Sequence, residues 1–155
     1  MEYVLATKND IEQLVDMRIA YLKEDMVDMT EEQIQAVREQ LPDYFKHHLG
    51  NDILGFIVKN NKDILSTALL LIIHKPANPN FMHGKVGEVL NVYTKPEYRH
   101  QGMAKGIMKN LLAYAKDLGL DFVELSATEQ GYPLYKSLGF LESSSHYRKM
   151  KYIIH

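Results

Sequence analysis

The stretch Gly87–Ala104, GEVLNVYTKPEYRHQGMA, limits the possible folds most, because an apolar strand runs through a short basic loop into a helix. Val89, Leu90, Val92 and Tyr93 give the β-branched and aromatic content of a strand, Pro96 ends it, and Gly102–Leu118 carries apolar residues at helical spacing. A helix entered through glycine presents unpaired N–H groups and the positive end of its dipole, so an anion can sit there without a dedicated side chain. Lys95, Arg99, Lys105 and Lys109 face only Glu97 in this stretch. Lysines in a first helical turn oppose the dipole unless an anion supplies the missing charge, so the pattern predicts a phosphate-type site.

The rest of the chain sets the frame for that site. With 155 residues and 46% hydrophobic content, it can bury an ordinary core, and no linker, repeat or low-complexity segment divides it. One domain over residues 1–155 is the expectation. The absence of cysteine removes disulfides, thiolate metal ligands and a cysteine nucleophile. MEYVLATKND does not read as a signal peptide, which makes the cytoplasm the expected compartment. Ala68–Ile73, the longest apolar run, is too short to span a bilayer and suits a strand buried on both faces. A net charge of −2 argues against nucleic acid as a partner. The histidines lack metal-site spacing, so no metal is expected.

Tyr3–Ala6 reads as a first strand, followed by a helix capped by Asn9 or Asp10 with Ile11, Leu14, Val15, Arg18, Ile19 and Leu22 on one face. Thr30-Glu-Glu-Gln33 has the form of a capping box and starts a second helix toward His48, which Pro42 should kink or divide. Asn60-Asn-Lys-Asp63 separates two apolar runs and predicts an antiparallel hairpin of Ile53–Lys59 with Ile64–Ile73, the second strand being central. Asp121–Ser126 reads as a short strand, Glu129–Leu138 as a short helix starting near Tyr132, and Phe140–Ile154 as one or two closing strands. A long helix joining two strands fits a parallel crossover in an otherwise antiparallel sheet. The expected class is therefore a mixed, mostly antiparallel α/β sheet flanked by helices.

Arg99-His-Gln-Gly102-Met-Ala104 fits the pattern Gln/Arg-x-x-Gly-x-Gly/Ala, and here the chain resembles the Gcn5-related N-acetyltransferase (GNAT) family. Leu134-Tyr135-Lys-Ser-Leu-Gly139-Phe140 resembles that family's Leu-Tyr-x-x-Leu-Gly-Phe element, in the right order downstream. The detailed match covers roughly Val86–Phe140. The resemblance implies an acyl-coenzyme A N-acyltransferase fold and transfer of acetyl from acetyl-coenzyme A to a primary amine of a small molecule or peptide. It places the pyrophosphate on the backbone of Arg99, His100, Gln101, Gly102, Met103, Ala104 and Lys105, with Gly102 allowing close approach. It pairs the pantetheine arm with the open edge of Val92, Tyr93 and Thr94. Small members of the family are commonly dimers, which makes a homodimer the matching expectation.

Acetyl transfer needs a neutral amine and a proton for the departing thiolate. Tyr135 matches the family tyrosine placed near the cofactor sulfur, and a phenol with a pKa of roughly 10 stays protonated at neutral pH. Its alternative role is packing. Glu88 precedes Arg99 by eleven residues, the interval of the general-base glutamate in the histone acetyltransferase branch; it is either that base or an exposed glutamate near a strand start. Asn91 interrupts the same strand with a polar side chain, and either binds substrate or satisfies backbone at a bulge. The acceptor is expected near Lys23–Thr30 and Pro76–Lys85, where Glu24, Asp25 and Asp28 either attract a cationic amine or are simply solvated. The alternative to an enzyme is a coenzyme A-binding or nucleotide-phosphate-binding module without catalysis.

Overall fold

The computed structural model describes residues 1–155. Its frame is a five-stranded sheet in the order β1-β2-β3-β4-β5: Glu2–Leu5, Ile53–Asn60, Asp63–His74, Lys85–Thr94 and Val123–Glu124. The first four strands pair antiparallel and β5 joins β4 in parallel, across the long helix α3 that links them. Numbering helices in chain order, α1 is Ile11–Asp25, α2 Glu31–His48, α3 Met103–Asp117 and α4 Tyr132–Ser137.

The two faces of the sheet explain the alternating apolar pattern. Leu54, Phe56 and Val58 of β2 point to one side and pack with Ile107, Met108 and Leu111 of α3. Ile53 and Ile57 point to the other and pack with Leu14, Val15 and Ile19 of α1 and Phe45 of α2. β3 lies in the middle of the sheet and is buried over residues 64–70, whereas Leu71, Ile72 and Ile73, the second half of the apolar run expected to be buried on both faces, are only half-buried. No helix is long and apolar enough to cross a membrane.

Several local expectations are corrected. Asp10 stands at the N-cap of α1, one of the two positions expected, but its side chain makes no capping bond there; Thr7 caps a preceding 3₁₀ turn, Lys8–Asp10, and the Asp10 carboxylate accepts from the Thr7 amide at 2.8 Å. Thr30 and Gln33 do form the capping box expected for α2. That helix runs unbroken through Pro42, because Leu41 and Phe45 on either side are both buried in the core and hold it there. The last strand before α4 is only Val123–Glu124, shorter than Asp121–Ser126. α4 starts at Tyr132 with Pro133 in its first turn, where proline is tolerated.

Beyond Phe140 the expected closing strands are absent. The last backbone-to-backbone hydrogen bond in the chain runs from Phe140 N–H to the Tyr135 carbonyl, 3.0 Å, and residues 141–155 belong to no helix or strand.

Candidate active site

β4 carries the site because it is paired fully on one side and barely on the other. Against β3 its register extends to Thr94, whereas β5 accompanies it only at Gly87 and Glu88. Past Glu88 the two parallel strands part, leaving main-chain groups on that edge of β4 without a neighbouring strand. The strand also carries a bulge. Thr67 pairs with Tyr93 but Leu69 with Leu90, so Asn91 and Val92 together oppose Ala68, and Asn91 takes a left-handed φ of 56°.

Into this parting opens a cleft of about 760 Å³, within the usual size of ligand pockets. Of the residues expected to hold a cofactor, Val92, Tyr93, Thr94, Arg99, His100, Gly102, Met103, Ala104 and Lys105 line it; Gln101 does not. The loop reaches α3 through two left-handed residues, His100 at φ 63° and Gly102 at φ 81°. The first backbone hydrogen bond into α3 is donated by Gly106 to the Gly102 carbonyl at 3.0 Å, so the preceding amides of that turn have no backbone acceptor. A Cβ built on Gly102 would meet nothing within 4 Å. Glycine is set here by the backbone angle, and the space beside it is open for a ligand to come close.

Arg99 is engaged by the protein itself. Its Nε donates to the Thr94 carbonyl at 2.8 Å, its Nη2 to the Glu24 carboxylate, and its guanidinium lies over the Tyr93 ring, 5.3 Å from the centroid. Glu24 and Asp25, at the end of α1, thereby form one wall of the cleft. The acidic residues at the end of α1 are more than a solvated surface. By contrast Pro76–Lys85, expected near the acceptor, lines neither this cleft nor its neighbour. It is tied instead to the start of β5: the His83 amide and ring both contact Asp121, at 3.0 and 2.6 Å.

A second, smaller cavity of about 140 Å³ adjoins the first, and Glu88, Asn91, Arg18, Ser126 and Tyr135 line it. Asn91 is 4% exposed, and its Oδ1 is one of two buried side-chain polar atoms without a hydrogen-bond partner. The bulge and a vacant acceptor atom therefore coexist at one residue. Tyr135 belongs to both cavities. It is buried, edge-on to Phe140 at 5.8 Å, and Gly131 makes room for its ring, since a Cβ there would come within 2.8 Å of it. Burial, reinforced by Tyr21 nearby, pushes its phenol up to about 12. Arg18, Tyr21, Thr128 and Gly131 had no sequence signal as site residues, because only the fold brings them to β4.

Comparison with known proteins decides the family. The profile of the acetyltransferase (GNAT) family matches residues 18–140. The chain belongs to this family. A solved GNAT neighbour, a predicted acetyltransferase with acetyl-CoA from Clostridium acetobutylicum, is 27% identical over 97% of this chain and 95% of its own, with a TM-score of 0.85. A GCN5-related N-acetyltransferase from Ralstonia eutropha JMP134 shares the fold at 24% identity and a TM-score of 0.81, covering 96% and 97% of the two chains. The glucosamine 6-phosphate N-acetyltransferase of Trypanosoma brucei brucei is 31% identical over 90 residues, 57% of this chain. That alignment spans just over half of the curated relative, 56%. The mixed sheet flanked by helices expected from the sequence is thus the fold observed.

Proposed function

We propose that this GNAT protein transfers an acetyl group from acetyl-coenzyme A to a primary amine of a small molecule or peptide, by direct transfer with both substrates bound. One observation carries the reading: Tyr135 stands between a cleft suited to the cofactor and a cavity suited to an amine. The unbonded amides at the start of α3, the open space at Gly102 and the unpaired edge of β4 fit a pyrophosphate followed by an amide-bearing arm. When bound, acetyl-coenzyme A supplies a thioester-activated acyl group and a thiol leaving group.

The chain's own residues do the proton work. An alkyl amine has a pKa of about 10.4, so only about one molecule in a few thousand is neutral at pH 7. Glu88, lining the smaller cavity, takes the amine proton through a water. Asn91 Oδ1 accepts a hydrogen bond from the same amine and orients it. The Tyr135 hydroxyl remains protonated across the physiological range, because burial opposes its ionisation, and it gives its proton to the departing thiolate. The cysteine-free chain suits a reducing compartment, and the cytoplasm is the proposed location.

Two measurements test the proposal together. Acetyl-coenzyme A should raise the melting temperature of the parent and not that of folded Gly102→Glu, and thiol release should depend on an added amine. A coenzyme A-binding module without activity passes the first test and fails the second.

A further inference from the structure

We propose that the acceptor carries an anionic group close to its amine and that Arg18 holds that group. This deepens the acyl-transfer reading above and rests on it for the amine. The chain has four arginines. Arg38 pairs with Asp16 and Arg99 with Glu24, both at 2.8 Å, and Arg148 lies on the exposed segment after Phe140. Arg18, half-buried on α1, makes no ion pair and no hydrogen bond, yet it lines the small cavity together with Glu88, Asn91 and Tyr135. A guanidinium partly withdrawn from water without a counter-charge is costly unless a ligand supplies one.

Asn91, which lines the same cavity, gives the second observation, since its buried Oδ1 lacks a donor. The cavity thus offers a carboxylate and an amide oxygen for an amine and a fixed cation for an anion. Its volume of about 140 Å³ equals roughly five waters, so the two groups of the acceptor must lie near each other. Carboxylate and phosphate both match the guanidinium fork, and the experiment separates them.

Two matched pairs serve as probes: β-alanine with n-propylamine, and 2-aminoethyl phosphate with ethanolamine. In at least one pair the anionic member should show a kcat/KM ten-fold or more above its neutral partner, and the pair that does so names the anion. Arg18→Met keeps the aliphatic length and should erase that preference through KM, leaving the neutral amine within about two-fold, while Arg18→Lys restores part of it. Equal use of both members, or equal loss for both in Arg18→Met, overturns the proposal. If none of the four amines is acetylated, the transfer reading fails for these acceptors, and thermal shift decides Arg18 separately. Anionic members must then stabilise the parent and not Arg18→Met, and stabilisation of neither overturns the assignment.

Discussion

Both carboxylate oxygens of Glu24 accept from Nη2 of Arg99, at 2.8 and 2.9 Å, fastening the end of α1 to the loop that opens α3. The arginine of the anion-binding motif is therefore largely neutralised before any anion arrives. On the proposed reading, backbone amides rather than this side chain bind the pyrophosphate.

Arg99→Ala should accordingly change acetyl-coenzyme A affinity by no more than about five-fold. The pair is partly exposed, with side-chain exposures of 32% and 48%, so stability should fall by about 1 kcal/mol or less. Titration calorimetry and chemical denaturation check the two figures. A hundred-fold loss of affinity would make the guanidinium itself the phosphate ligand.

Tyr135→Phe keeps the ring that packs on Phe140 and removes only the hydroxyl. Single-turnover transfer should slow by roughly 10²–10⁴-fold, as for loss of a general acid. The same variant has an alkaline signature. Because the folded-state pKa is raised to about 12, the phenol's contribution is intact below the unfolded value of about 10 and is lost as pH rises from there toward 12. The parent should therefore lose stability over that interval more steeply than Tyr135→Phe, which denaturation at a series of pH values measures.

Asn91→Gly should separate stability from activity. Glycine adopts φ 56° without the strain that asparagine bears there, and the substitution removes a buried oxygen that has no partner. Stability should rise by about 1 kcal/mol. The KM for the amine should rise as well, with acetyl-coenzyme A affinity unchanged. An unaltered KM would leave Asn91 a feature of the bulge alone.

Asp10 provides a control far from the chemistry. Burial would raise its pKa, but the hydrogen bond and charge of Lys59 and the Thr7 amide outweigh that and hold the carboxyl below its usual range. Its stabilisation is present above the unfolded value of about 3.9 and is lost as pH falls through the lower folded value. Asp10→Asn should cost about 2 kcal/mol at neutral pH, and the gap from the parent should close in acid. Activity should be unchanged per folded molecule.

What the residues disclosed in advance were features whose cause is local. The Asn60–Asp63 turn, the Thr30 capping box and the Arg99–Ala104 helix entry each depend on neighbours a few positions away, and each stands where the pattern places it. The Glu24–Arg99 pair spans 75 positions and brings α1 to a loop by tertiary packing alone. Arg18 reads in sequence as one position on the apolar face of the first helix, and only the fold shows that it lines the small cavity with Asn91. The segment after Phe140, expected to close the sheet, pairs with no strand although the outer edge of β5 is unpaired.

The parting of β4 from β5 after Glu88 gives one strand two rates of solvent exchange. Amides of Val86 and Gly87 are locked between neighbours, the latter donating to Phe122 at 3.0 Å, while those further along that edge lead into the cleft. Deuterium should therefore enter β4 as a gradient, fastest toward Thr94. An extended ligand lying in the gap would flatten it, so the strand itself can report occupancy without any added label.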